Sequence, residues 1–293
     1  MILDLQELKP AQKQYYLQHV IAPRPICFAS TIDKEGNVNL SPFSFFNLFS
    51  NNPPIVVFSP ARRIRNNTTK HTLQNVLEVP EVVINIVTYD MVQQTSLASC
   101  EFPKEVNEFS KAGFTAVAAT LVKPPMVKES KVNLECKVLE VKALGTEGGS
   151  GNLVICEVLR MHIEDSLLDN DKKLDQRKIH HVARLGGDWY CQVNEQNLFM
   201  VEKPNTQIGI GIDSLPGSVK SSLILSGNDL GQLANVPEIP LIDPAFEDDH
   251  LKQIIQYYNL DPEEMERELH LHAKKLLAEG KLKEAWQVLL AGS

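Results

Sequence analysis

The chain has 293 residues, 43% of them hydrophobic and 23% charged, with a formal net charge of −8. That balance excludes a disordered or low-complexity chain and leaves one large domain with an extension, or two small ones. The negative charge argues against nucleic acid as the main partner, because phosphate backbones select a basic surplus.

In chain order, residues 4–19 read as a short helix. Residues 26–32 and 37–40, separated by a polar gap ending in Gly36, read as a β-hairpin. Residues 54–58 form a strand opened by prolines, and residues 69–77 a helix with Thr68 or Thr69 as N-cap. An apolar run over 81–87 predicts a buried strand. Residues 89–110 are polar and helical in pattern, up to a loop before Gly113. Residues 131–140 alternate cleanly, 148–151 are turn-like, and 152–162 make another strand. Strands outnumber helices over 20–193 and do not alternate with them. A mainly β fold with helices, an antiparallel barrel, is therefore expected rather than a doubly wound sheet. After residue 195 the texture changes. Residues 204–244 are rich in Pro, Gly, Ser and Asn, and the rest is helical, with Asp261 as N-cap and Pro262 at the first helical position. The expected division is a barrel domain over 1–195 and a loop-rich, then helical, extension over 196–293.

The five cysteines include no C-x-x-C pair, so neither a zinc site nor a disulfide framework follows. Residues 1–16 lack the basic-then-apolar pattern of a signal peptide, and no stretch is long and apolar enough to span a bilayer. Reduced thiols and a cytoplasmic location, away from membranes, are the expectation.

Three stretches have the residue types for chemistry. Residues 39–54 mix Phe with Ser, Asn and Pro and follow neither a helical nor a strand period. Irregular backbone from Ser41 to Asn47, the Ser44 hydroxyl and the rings of Phe43, Phe45 and Phe46 suit a flat ring with one apolar and one polar end, as an isoalloxazine has. The other reading is a loop plugged into the core by its phenylalanines. Residues 59–72 gather Arg62, Arg63, Arg65 and Lys70 with several hydroxyls at a helix start. That suits a phosphate monoester, or else a solvated, capped helix start. It lacks the glycines of a Walker or Rossmann loop. Residues 181–190 place His181 and Arg184 beside Gly186 and Gly187. His180 and His181 have no partners at metal-ligand spacing, so no metal is expected.

Together these stretches resemble the flavin reductase-like proteins with an FMN-binding split barrel, the group that includes flavoredoxin. The resemblance runs through Ala22-Pro-Arg-Pro-Ile26, Ser30-Thr31, Gly36, Asn39 to Asn47, Pro53-Pro54, Lys70-His-Thr72, Asn75, Val83-Ile-Asn85, Arg184 to Gly187 and Tyr190. It spans roughly residues 15–193. It implies a split β-barrel with FMN at or near a homodimer interface. Ser41, Phe43, Ser44, Phe45 and Asn47 would face the isoalloxazine. Ser59, Arg65, Lys70 and Thr72 would hold the ribityl phosphate, with Arg184 and Gly186 close to the flavin. His71 stands where the family often has Asp. The implied activity is FMN-dependent oxidoreduction, an NAD(P)H-linked flavin reductase with NADH or NADPH delivering hydride to flavin N5. His181 and Arg184 are the candidates for steering it. The alternatives are a flavoredoxin-like protein fed by an electron-transfer partner, and a non-enzymatic flavin-binding or interaction protein. Residues 272–286 look like half a tetratricopeptide repeat, and an amphipathic helical arm is the plainer reading.

Overall fold

The computed structural model describes residues 1–203 and 207–291. Contacts divide the chain into two units, Met1–Phe199 and Met200–Ser293.

In the first unit, helix α1 (Pro10–Val20) is followed by strands β1 (Cys27–Ile32), β2 (Val38–Phe43), β3 (Phe46–Asn51) and β4 (Pro54–Phe58). Helix α2 (His71–Glu78) and strand β5 (Glu81–Ile86) come next. Two short helices, α3 (Val92–Leu97) and α4 (Glu108–Ala112), and a two-residue pair, β6 (Ala116–Val117) and β7 (Met126–Val127), lead to the long strands β8 (Val132–Ala143) and β9 (Asn152–Ile163). Helix α5 (Gln176–Ile179) and the hairpin β10 (Val182–Arg184) and β11 (Tyr190–Gln192) complete the unit.

Seven strands form one antiparallel sheet in the order β2-β1-β5-β8-β9-β4-β3. The first hairpin turns where the Asp33 carboxylate accepts from the Asn37 amide and side chain, both at 2.9 Å, and Gly36 adopts φ +88°. Strand β1 is buried on both faces. Cys27 and Ala29 enter one core with Phe58, Ile84 and Cys136, whereas Phe28 enters a second with Leu40, Phe109 and Phe114. The first half of β1, Cys27 to Ala29, is therefore apolar on both sides, while Ser30 and Thr31 are buried polar residues. The thiols of Cys27, Cys136 and Cys156 are fully buried and all five cysteines are free. Burial pushes the Cys136 thiol up to about 12.

Several expectations are corrected. The stretch after Asn39 is not an irregular loop: Ser41 and Phe43 belong to β2 and Asn47 to β3, and only Ser44 and Phe45 lie between them. Strand β3 escapes its sequence pattern because it is an edge strand whose Asn47, Leu48 and Phe49 are all exposed. The N-cap of α2 is Lys70, not Thr68 or Thr69. The Arg63 guanidinium takes the Thr68 hydroxyl at 2.9 Å and the Thr69 carbonyl at 2.6 Å. The single helix expected over 89–110 is two, separated by the Pro103 segment.

The second unit is helical: α6 (Gly217–Lys220), α7 (Gly227–Ala234), α8 (Asp249–Tyr258), α9 (Pro262–Ala278) and α10 (Leu282–Leu290). Asp261 caps α9, accepting from the Glu264 amide at 3.1 Å, and Gly280 at φ +74° allows the turn into α10. These helices are more than an arm. They bury Trp286, Leu233, Ala273, Ala285 and Val288 in a core of their own. The Pro204 to Thr206 part of the expected loop lies outside the described residues. Among the described residues, no helix is long and apolar enough to cross a membrane.

Candidate functional site

A cavity of about 850 Å³ opens in the first unit between α1, the loop of residues 61–70 and the tip of residues 147–150. Two of the walls are tied to each other through backbone bonds. The Arg62 amide donates to the Ser150 carbonyl at 2.8 Å, and the Gly149 amide donates to the Arg62 carbonyl at 2.9 Å. Gly148 has no room for a side chain, because a Cβ there would meet the Ile64 carbonyl oxygen at 3.0 Å. The 61–70 loop folds on itself where Arg62 donates to the Asn67 side chain at 2.6 Å and to its carbonyl at 2.7 Å.

The third wall, α1, buries no residue. It is held at its C-terminal end instead. Arg24 is 7% exposed, and its guanidinium donates to the carbonyls of Gln18 and Ile21 at 2.6 Å and of Leu185 at 2.9 Å. The Gln18 and Ile21 carbonyls lie at the C-terminal end of α1, where a cation is favourable. Burial, and then Arg184, lower the Arg24 pKa from its usual value.

The cavity is strongly cationic in a chain of net charge −8. Lys13, Arg24, Arg62, Arg63, Arg65 and Lys70 line it against only Glu101 and Glu147. Glu101 pairs with both Arg63, at 3.1 Å, and Arg65. Lys70 has no carboxylate within salt-bridge distance among the described residues. Burial, then the positive charge of Arg63, lower its pKa, with Arg65 adding to this and Glu101 opposing it. His71 is held low by burial, then by the positive charges of Arg63, Lys104 and Lys70. Leu17, Ile21, Phe45, Ala61 and Ile64 supply apolar wall. A surplus of half-buried positive charge beside an apolar surface fits a ligand with an anionic end and a flat apolar body.

A second cavity of about 200 Å³ lies beyond Phe45, lined by Phe43, Ser44, Thr95, Ser96, Arg184 and Tyr190 among others. Arg184 and Tyr190 also line a neighbouring cavity of about 420 Å³ with Tyr89 and Asp188. The Arg184 guanidinium lies 4.4 Å from the Tyr190 ring centroid and donates to the Gly187 carbonyl at 2.7 Å. Arg24 and Arg184 exchange two backbone hydrogen bonds of 2.9 Å, so one bridge joins the large cavity to the smaller ones.

Of the sequence-predicted residues, Phe45, Arg65 and Lys70 meet at the large cavity, and Phe43, Ser44 and Arg184 at the small one. Ser41, Asn47, Ser59, Gly186 and His181 line none of the three. Ser41 sits mid-strand opposite Ala29, and Asn47 is exposed and bonded to the Leu48 amide. Ser59 is buried, and Gly186 is covered by His19. His181 is surface-exposed and joined to Thr88 by an isolated bridge, with desolvation lowering its pKa. Thr72 is fully buried, its hydroxyl donates to Asn39 at 2.6 Å, and it does not line the large cavity. Sequence reasoning missed Lys13, Leu17 and Ile21, because α1 has no apolar stripe to signal a packed face. Arg62 and Arg63 stood in the basic stretch already singled out.

The seven-stranded antiparallel sheet has the split-barrel fold of flavin reductase-like proteins. Nitrilotriacetate monooxygenase component B from Bacillus cereus superposes with a TM-score of 0.63 at 26% identity, covering 68% of this chain and 98% of its own. A protein of Shewanella frigidimarina NCIMB 400 with a split barrel domain shares the fold with a TM-score of 0.59 at 24% identity, over 69% of this chain and 99% of its own. An uncharacterized protein of Aquifex aeolicus (strain VF5) is 38% identical over 173 residues, which is 59% of this chain and 86% of that protein. The flavin reductase like domain matches residues 20–181, more than half of the chain, and the protein belongs to that family.

Proposed function

We propose that the large cavity binds FMN and that the protein is an FMN-dependent oxidoreductase supplied with electrons by NADH or NADPH. The observation that carries this is Lys70, a half-buried lysine without a carboxylate partner among the described residues, beside Arg65 and next to an apolar wall. Lys70 and Arg65 would hold the phosphate. Arg63 holds the Thr69 carbonyl and so fixes the residue before Lys70. Leu17, Ile21 and Phe45 would exclude water from the ring. Bound FMN would supply the redox chemistry, accepting hydride at N5. Arg184, braced by Tyr190 and the Gly187 carbonyl, is the cation placed to meet an anionic edge of the donor or the flavin.

The test is the visible spectrum of the purified protein, followed by titration with FMN and steady-state turnover with each nucleotide. Saturable FMN binding with NADH or NADPH oxidation supports the reading. Bound, reducible FMN without turnover by either nucleotide would redirect it to a protein electron donor. Failure to bind FMN at all would end it.

A further inference from the structure

Thr72 stands two residues after Lys70, in the first turn of α2, yet it points away from the cavity into the protein. It is fully buried, and its Oγ1 donates to Asn39 Oδ1 at 2.6 Å. Asn39 Nδ2 in turn donates to Glu108 Oε1 at 2.8 Å, and the Leu40 amide donates to Glu108 Oε2 at 3.1 Å. Asn39 is 8% exposed and Glu108 4%. The direction of this chain is fixed by chemistry. Burial raises the Glu108 pKa, against the bonds from the Leu40 amide and Asn39. As the ionised carboxylate that accepts both of these, it leaves Asn39 presenting its amide nitrogen to Glu108 and its oxygen to Thr72, which then donates. Three elements, α4, β2 and α2, are joined by one ordered set of bonds.

We propose that Glu108, acting through Asn39 and Thr72, is a positioning residue that sets the affinity of the cavity for a phosphate monoester by fixing the first turn of α2. This rests on the FMN reading. Helix α2 has a second anchor one turn on, where Asn75 Nδ2 donates to Thr31 Oγ1 at 3.1 Å. That bond holds the helix on the sheet, while the Thr72 bond holds the end that carries Lys70. Such a restraint matters because Lys70 has Arg63 and Arg65 as neighbours, and repulsion favours its moving outward when no anion is bound. A first turn held in place keeps the lysine aimed into the cavity before the ligand arrives.

The experiment compares dissociation constants for FMN and for riboflavin, which lacks the phosphate, in wild type, Thr72→Val, Thr72→Ser and Glu108→Gln. Thr72→Val should weaken FMN about tenfold and riboflavin less than about twofold, and Glu108→Gln should follow it. Thr72→Ser, which keeps the hydroxyl, should retain the wild-type ratio. Parallel losses for both ligands, or an unchanged FMN constant, overturn the proposal while leaving the FMN reading intact. A wild-type protein that binds neither ligand overturns both. If Thr72→Val does not fold, Glu108→Gln carries the comparison, because it preserves volume.

Discussion

The imidazole of His19 lies directly on Gly186: a Cβ at position 186 would stand 2.2 Å from His19 Cδ2. The glycine is there for space, whereas Gly187, at φ +57°, is there for its backbone. Together with Arg24, this contact fastens α1, which has no buried residue of its own. Gly186→Ala should therefore displace His19 and loosen α1, at a cost of about 1–3 kcal/mol as for other overpacked sites. Amide hydrogen exchange over residues 10–21 should speed up in Gly186→Ala and return toward wild type in His19→Ala/Gly186→Ala. If the double variant exchanges as fast as the single one, the contact is not what holds the helix.

Lys70→Ala should weaken FMN binding by about 1.5–3 kcal/mol, the range for a charge-assisted bond, or roughly 10- to 150-fold. Riboflavin should be almost unaffected. Fluorescence titration with both ligands reads this directly. Equal losses for both would remove Lys70 from the phosphate end of the site.

Glu135 gives the barrel a defined acid limit. Its carboxylate is buried and accepts from the Thr120 hydroxyl at 2.5 Å, from the amides of Thr120 and Val122 at 3.1 Å, and from the Leu121 amide. His162 Nε2 is at 2.6 Å. Burial alone would raise its pKa, but these bonds outweigh it and bring the group from 4.5 to about 2. The folded value is depressed, so the stabilisation is complete above pH 4.5 and is lost as pH falls toward 2. Glu135→Gln should destabilise the barrel at pH 7 by about 1–3 kcal/mol, since an NH₂ group would face donors. The difference from wild type should shrink below pH 4. A constant difference across that range in acid-unfolding curves would count against this account.

Trp286 is fully buried at the centre of the helical unit, and Trp286→Ala should cost about 3–5 kcal/mol there. Its indole N–H has no hydrogen-bond partner among the described residues, so Trp286→Phe should cost less. Hydrogen exchange in α8 to α10 measures both. Equal effects of the two substitutions would mean that ring volume is not what the core requires.

Strands with a buried face were legible because burial writes itself into sequence. The apolar run of β5 and the alternation of β8 both follow from which side chains meet a core. Strand β3 was not legible, because exposure removes that signature from an edge. The basic stretch foretold Arg65 and Lys70 at one cavity, since like charges gather where an anion can join them. The direction of Thr72 was not legible, because a hydroxyl next to a basic cluster has the same spelling whether it turns outward or inward to Asn39. The contribution of α1 left no pattern either, for it is attached through backbone carbonyls and one imidazole rather than an apolar face.

The Glu108 carboxylate has another effect at the border of the sheet. Strand β2 is a terminal strand, and the Leu40 amide that Glu108 accepts from is a ladder group at that border. A buried carboxylate already bonded to that amide occupies the place where a foreign strand's carbonyl would dock. At the opposite border, β3 has a register shift between Leu48 and Ser50 that breaks the regular spacing such docking needs. Each margin thus carries one feature that opposes regular chain-to-chain β pairing, a carboxylate at one and a break in spacing at the other.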